Sequence, residues 1–524
     1  MSPPTQAASS PLDTIIPFHF WDDVPQNREL CMNVTLRFDR KLDSERLYNS
    51  LTRLLEIDNW RKLGARLRLD NSGKLVYHLP SKFTEDRPGF IFTTKKHDGS
   101  IKAHPLASQM PSSTLLNKPT KVCILDGMTR YSALVRHKSA PSSIEDWLQT
   151  DIPQLVIHTV LFNDATLLTI TFQHTLMDAM GLSSFLRAWT AVLSNCEEDI
   201  PPFLGFDEDI IESHIEPVST EKQVMVGQTM AGILFGQISL LLFALAGWWE
   251  MFWFPRVEDR VLLIPGEYVR ELRERTLQEL NEDYKKNTNT SIQNDGQVKD
   301  KDKPRPFVSE SDVLLAWLST LLVTAHNPNP STPVQISNIF DIRSALALPS
   351  PGVYIGNAIM PSYGEFQARE FGVRNHSTGL DYRLGSVAMK IRQALETQRM
   401  KEQVFARTAL RKKILREMGS LPLISHAGQL GICCTNWQRA GFFGVDFGGA
   451  VVGDQVGKGF IPCRPSYVNT AGAGPLDGHG PRNMMIVTGK DGMGNWWVQI
   501  FAREEVWGKI GEWTREQDVQ DMSL

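Results

Sequence analysis

The sequence predicts an α/β fold with two core-bearing halves. Two short apolar runs rich in β-branched residues, Leu155 to Val160 and Leu167 to Phe172, read as strands. Leu47, Leu51, Leu54 and Leu55 recur at helical spacing, and Leu182 to Leu193 has the pattern of an amphipathic helix. At 524 residues the chain is long enough for two domains, each with its own core.

The elements follow in order. From about residue 12 to 215, helix-like and strand-like stretches alternate. Residues 281–306 are polar, rich in Asn, Asp and Lys, and read as a flexible crossover loop or a disordered insert. From Phe307 apolar periodicity returns: Val313 to Val323 reads as a buried helix and Val334 to Ile339 as a strand. No internal repeat is visible by period.

One segment stands apart. Val224 to Trp249 carries no charged residue, and Trp248, Trp249, Phe252, Trp253 and Phe254 crowd its end. A helix of that length could reach across a bilayer core of about 30 Å, and the aromatics resemble an interfacial belt. If the two halves form one active site they lie on the same side of the membrane, and a single crossing between residues 224 and 254 would separate them. A segment lying in the membrane surface is therefore expected, with a segment packed on the protein as the alternative.

Composition narrows the partners. A net charge of −4 gives no basic footprint for nucleic acid. The six cysteines have no zinc-finger spacing, and the vicinal pair Cys433-Cys434 reads as part of a buried strand, so no metal is expected. The first residues, Met1 to Thr5, lack a basic region followed by an apolar core. The default expectation is a reducing, cytoplasmic location, membrane-associated on the cytosolic face if residues 224–254 touch lipid.

The chemistry concentrates in Gln173-His174-Thr175-Leu176-Met177-Asp178, between the second apolar run and the amphipathic helix. A His at the mouth of a strand, with an Asp four residues on, suits a general base, because imidazole titrates near neutral pH. The plainer reading is a helix N-terminus capped near Asp178, with His174 satisfied by backbone. No Gly-x-Ser-x-Gly elbow argues for a covalent route.

Further motifs follow in the second half: Ser309-Glu310-Ser311-Asp312, Asn338-Ile339-Phe340-Asp341-Ile342-Arg343, Tyr354-Ile355-Gly356-Asn357-Ala358, Thr435-Asn436-Trp437 and Gly444-Val445-Asp446-Phe447-Gly448-Gly449-Ala450. With Pro11-Leu12-Asp13 and Leu42-Asp43-Ser44-Glu45-Arg46-Leu47 near the start, their order resembles the BAHD acyltransferases, especially the fungal secondary-metabolism branch, over most of the chain. There are departures. Gln173 stands where the family often has a second His, Ala179 stands where a Gly is expected, and the late motif lacks its Trp.

The resemblance implies two chloramphenicol-acetyltransferase-like domains, each a mixed β-sheet flanked by helices, with a channel at their interface and His174 at its midpoint. The first domain would span 1–215 and the second 307–524, joined by a crossover at 216–306. It implies an acyl-CoA-dependent O-acyltransferase, with acetyl-CoA the expected donor and a hydroxyl of a lipophilic fungal metabolite, such as a terpenoid or meroterpenoid, the acceptor. His174 would act as the base in direct attack, with Thr435 and Asn436 as oxyanion donors. Asp178 would pair with Arg343 as a structural clamp, and Asp446 would shape a loop. Ser309, Asp312 and Gly448 would lie beside the coenzyme. The acyl-CoA would be a co-substrate, with no bound cofactor, and the protein is expected to be a monomer. Two alternatives stay open: a condensation-type domain using a carrier-protein thioester, and a non-catalytic binding protein of the same fold.

Overall fold

The two strand-like runs of the first half form adjacent antiparallel strands, Val156–Leu161 and Thr166–Gln173, paired through Val156 to Leu161. The computed structural model describes residues 12–114, 116, 119–215, 245, 247–295, 305–372, 384–419, 428–453, 461–472 and 481–521. Around those strands lies a five-stranded sheet in the order Tyr467–Gly472, Cys31–Phe38, Thr166–Gln173, Val156–Leu161, Ile91–Lys96. Both faces of its centre are covered, so its central strands are buried along almost their whole length, the alternating polar residues Asn33, Thr35, Arg37, Thr169 and Thr171 included.

A seven-stranded mixed sheet runs in the order Ile359–Gln367, Pro333–Asp341, Leu430–Asn436, Met484–Lys490, Trp496–Arg503, Val257–Ile264, Cys123–Asp126. Its parallel pairs join Pro333–Asp341 to Leu430–Asn436, and the latter to Met484–Lys490. The architecture is α/β, two mixed sheets flanked by helices. Each sheet borrows a strand across the sequence: Cys123–Asp126 of the first half edges the second sheet, and Tyr467–Gly472 of the second half edges the first. The ranges 1–215, 216–306 and 307–524 are thus divisions of the sequence, and the sheets are built across them.

Helix Ser44–Leu54 and helix Ala179–Leu193 pack on each other against the first sheet, burying Leu47, Leu51, Leu54, Phe185, Leu186 and Trp189. Asp43 caps the former, its carboxylate accepting the amides of Glu45 and Arg46. Helix Glu310–His326 is buried on nearly every side in the second core, which explains its continuous apolar sequence. A reciprocal capping box between Ser309 and Asp312 starts it.

The polar stretch after residue 280 departs from expectation. A single helix, Gly266–Asp295, continues through its first part, so residues 281–295 are neither loop nor coil. Val269, Leu272 and Thr276 bury the helix's first turns. No Gly or Pro interrupts the sequence until Gly296. Helix propagation is cheap once nucleated, so polar residues extend a helix that packing has begun. Residues 216–244, 246 and 296–304 lie outside the described residues, and with them most of the apolar segment 224–254. What is described of that segment is helical at 247–253. Among the described residues no helix is long and apolar enough to cross a membrane.

The late motif docks the second half onto the first. Phe447 is fully buried, its ring 5.0 Å from that of Phe38 and 5.5 Å from that of Trp189. The Asp43 amide donates to the Ala450 carbonyl at 2.7 Å. A Cβ at Gly449 would overlap the carbonyl of Leu193, so that glycine permits a close backbone approach to the helix end.

Candidate active site

Strand Thr166–Gln173 delivers His174 at its C-terminal end. The pleat sends neighbouring side chains to opposite sides. Gln173 turns away from the cavity and donates from Nε2 to the carbonyls of Asn27 at 3.1 Å and Arg28 at 2.5 Å. His174 faces the cavity and is half-buried. Its backbone is held at both ends: the amide donates to the Leu30 carbonyl at 2.8 Å, and the carbonyl accepts from Asn357 Nδ2 at 2.8 Å.

The chain then turns, and Asp178 starts helix Ala179–Leu193 as its N-cap, accepting the Gly181 amide at 2.9 Å. The carboxylate has other partners. Arg343 donates from Nη1 to Oδ2 at 3.0 Å and from Nη2 to Oδ1 at 2.9 Å, a bidentate pair. The Ala358 amide adds a further bond to Oδ2 at 3.0 Å. Arg343 also donates to the carbonyls of Tyr354 at 3.0 Å and Gly356 at 2.6 Å, and to Asp341 at 2.8 Å. All five of its donors are directed by this set. A Cβ at Gly181 would strike the backbone of Ile355, so the glycine lets the two halves touch here. Asp178 lines the cavity beside His174, and its carboxylate is taken up by Arg343 and the amides of Gly181 and Ala358.

The cavity has a volume of about 770 Å³ and is lined by both halves of the chain. Leu30, Cys31, Met32, Val34, Phe172, Met177, Met180 and Leu182 give it an apolar wall from the first half. The second half contributes most of the polar lining, Ser309, Ser311, Asp312, Asn338, Thr435, Asn436 and the arginines Arg392, Arg399 and Arg439, alongside apolar residues such as Leu314, Leu315, Phe340, Trp437, Ile486 and Phe501. His174 Nδ1 is enclosed without a hydrogen-bond partner among the described residues, which leaves Nε2 as the ring nitrogen a ligand can reach. Burial holds the imidazole below its ordinary value of 6.5, against the opposing pull of its own backbone carbonyl, Asp178 and Asn357. The ring is therefore neutral at neutral pH and free to accept a proton.

Thr435 and Asn436 end strand Leu430–Asn436 on the same cavity. The Thr435 hydroxyl oxygen accepts the Trp437 indole N–H at 3.1 Å, so its own O–H remains to be donated. Asn436 Oδ1 is taken by the Gln438 amide at 2.9 Å in a local turn, which leaves its NH₂ as the free end. Ser309 and Asp312 line the cavity, yet their side chains are engaged in capping, and Asp312 lies 3.5 Å from Arg392. Gly448, expected beside the coenzyme, is buried in a short turn and is not part of the cavity wall. Asp446 is also outside that wall. Its Oδ1 accepts the amides of Gly448 at 2.9 Å and Cys463 at 2.8 Å, tying two loop strands together. Cys433 and Cys434 lie on the strand before Thr435, and burial pushes the Cys433 thiol up to about 11. That leaves it unreactive as a nucleophile.

The three arginines on the polar wall and Asn357 were given no role by sequence reasoning. The arginines carry no motif, and only the fold brings them to the cavity. Asn357 lies within the Tyr354–Ala358 motif, so the order of motifs pointed to it without saying what it does. Among the described residues no cluster of potential ligands could hold a metal ion.

Comparison with known proteins supplies what geometry cannot. The sequence pattern of the Transferase family matches residues 257–451. The acetyltransferase adrJ of Penicillium rubens is 34% identical over 516 residues, covering 97% of each chain. The acetyltransferase sphE of Aspergillus fumigatus is 34% identical over 530 residues, covering 98% of this chain and 96% of the relative. Among solved structures, that of F. graminearum TRI101 complexed with coenzyme A and T-2 mycotoxin has a TM-score of 0.65 at 15% identity. It covers 96% of this chain and 98% of its own, a likeness of fold.

The Asp178–Arg343 pair generates a stability prediction. Removing Asp178 leaves Arg343 with Asp341 alone and deprives the Gly181 and Ala358 amides of their acceptor, and breaking a buried pair costs about 3–5 kcal/mol. Asp178→Ala should lose about that much in urea unfolding. Asp178→Asn should lose less, because the amide oxygen still caps the Gly181 N–H. Equal stability of Asp178→Ala and the unmodified chain would show that the pair contributes nothing.

Proposed function

This chain belongs to the Transferase family, the BAHD-type acyltransferases, and we propose that it is an acyl-CoA-dependent O-acyltransferase of a lipophilic fungal metabolite. That it is an acyltransferase follows from the family. The acetyl group as the donor's cargo is supported by the relatives named acetyltransferase. The coenzyme is supported by TRI101's complex with coenzyme A and by the exposed Arg399 and Arg439 on the polar wall, which suit its phosphates. The lipophilic acceptor is supported by the many apolar residues that line the cavity from both halves, and a terpenoid or meroterpenoid alcohol fits that chemistry.

The observation that carries the mechanism is His174 with one enclosed nitrogen, held at both backbone ends, on the cavity that Thr435 also lines. The acceptor oxygen attacks the thioester carbonyl as its proton passes to His174 Nε2. The resulting oxyanion takes a hydrogen bond from the Thr435 hydroxyl and from the Asn436 NH₂. Collapse breaks the carbon–sulfur bond, and His174 returns the proton to the departing thiolate. The ester and free coenzyme A leave, and no covalent enzyme intermediate forms. Asp178 and Arg343 act by fixing the frame.

His174→Ala should lower turnover by about 10²- to 10⁴-fold, the usual contribution of a general base. Coenzyme A should still bind, since the polar wall is untouched. In the unmodified enzyme the acid limb of kcat/KM should lie below pH 6.5, because the depressed pKa keeps the base neutral until the pH falls through it. Assays with acetyl-CoA and a panel of terpenoid alcohols test both. Near-normal turnover in the variant, or an acid limb above 6.5, would remove His174 as the base.

The apolar segment is assigned to a membrane surface on the cytosolic side. On the helix at residues 247–253, Trp248 is 72% exposed, Trp249 65%, Phe252 71% and Trp253 56%. So large an aromatic patch on an otherwise ordinary surface suits the interfacial zone of a bilayer. The helix is tied to the body by Glu250 with Arg482 at 3.4 Å, and by the Arg503 guanidinium 4.0 Å from the centre of the Phe254 ring. The protein should therefore sediment with membranes or bind vesicles, and exchanging these four aromatics for Ser should release it. Full recovery of the intact protein in the detergent-free supernatant would contradict this assignment.

A further inference from the structure

The Tyr354–Ala358 motif adds nothing to the cavity wall, yet hydrogen bonds tie it to the His174–Asp178 segment at two points and to Asp178's partner Arg343. Arg343 holds its carbonyls, the Ala358 amide reaches Asp178, and the Asn357 side chain reaches the His174 carbonyl. Asn357 is itself held from the far end of the chain. Asp22 Oδ1 accepts the Asn357 backbone amide at 2.6 Å and its side-chain Nδ2 at 3.0 Å. Both hydrogens of the Asn357 amide group are thereby used, one by Asp22 and one by His174. Asn357 Oδ1 is buried without a partner among the described residues. The amide is thus oriented by its two acceptors, since turning it over would face an oxygen to both.

Asp22 is buried, 5% exposed. Tyr354 Oη lies 3.4 Å from its Oδ2, and His19 Nδ1 lies 3.9 Å from that same oxygen. Neither Asp22 nor Asn357 lines the cavity, so neither is placed to touch a substrate. A buried carboxylate is costly to keep. Burial raises the Asp22 pKa to about 7 against the pull of the Asn357 donors. The buried Lys62 ammonium also favours the ionised acid, while the direct hydrogen bonds of its carboxylate go to Asn357 and Tyr354.

We infer that Asp22 is a positioning residue for acyl transfer: it orients the Asn357 amide, which holds the His174 carbonyl and so fixes where the imidazole stands. The inference rests on His174 being the base. Displacing a catalytic group by about 1 Å can cost about 10²-fold in rate. The effect belongs in kcat, because the cavity wall that binds the coenzyme is unchanged.

The test is a double-mutant cycle on the full chain, read as thiol release from acetyl-CoA with water as the acceptor. Asp22→Ala and Asn357→Ala should each lower kcat by about 10-fold or more while leaving KM for acetyl-CoA nearly unchanged. The double variant should fall no further than the worse single, as expected for residues acting through one contact. Asp22→Asn should recover most of the rate, because its amide oxygen still accepts from Asn357. Losses that multiply in the double variant, or a normal kcat in Asp22→Ala, would overturn the inference. If Asp22→Ala does not fold, Asn357→Ala decides alone: it keeps the carboxylate and removes the tie, and a normal kcat refutes it. His174→Ala in the same assay separates the two readings. Should it be inactive while Asp22→Ala is normal, only the tether fails. Should it be active, the base and the tether fall together.

Discussion

The bidentate pair between Asp178 and Arg343 is the constraint on which the site depends. It joins a residue at the head of a helix in the first half to a residue just after a strand in the second. The Asp178 side chain is 2% exposed and that of Arg343 15%, so each would be costly alone. Together with the Ala358 amide and the Gly181 contact, the pair fixes the position of the second half against the strand end that carries His174. The cavity exists because the two walls meet at this seam and part beside it. A buried ion pair thus sets the geometry of the strand end that carries His174.

The same logic accounts for the spread of motifs along the chain. Each sheet takes its edge strand from the other half, and the late Asp446–Ala450 motif docks on Phe38, Trp189 and Asp43 of the first. A site made this way cannot be assembled from one half. Its supporting residues fall at both ends of the sequence because the fold, not local chemistry, brings them together. Asp22 and Asn357, whose numbers differ by more than three hundred, are in direct contact for that reason.

Much of this was legible in the sequence where local pattern suffices. The strand before His174, the helix after Asp178 and the buried helix beginning at Glu310 follow from period and from caps. Resemblance paired Asp178 with Arg343, which no spacing could have done. The continuation of helix Gly266–Asp295 was missed because polar composition was weighed above the absence of Gly or Pro. Gly448 was placed beside the coenzyme because it is a glycine in a late motif, whereas here that motif is packed into the joint between the halves. Asp22 was invisible because a buried acid has no sequence signature apart from its partner.

Acyl transfer as proposed requires that His174 Nε2 and the Thr435 hydroxyl face one reaction centre in the cavity. A crystal structure of the chain with coenzyme A tests it most directly. The claim predicts the phosphates near Arg399 and Arg439 and the pantetheine along the polar wall. It places the thiol sulfur in the cavity within reach of both His174 Nε2 and Thr435 Oγ1. Coenzyme A bound outside the cavity, or with its sulfur turned away from His174, would contradict it.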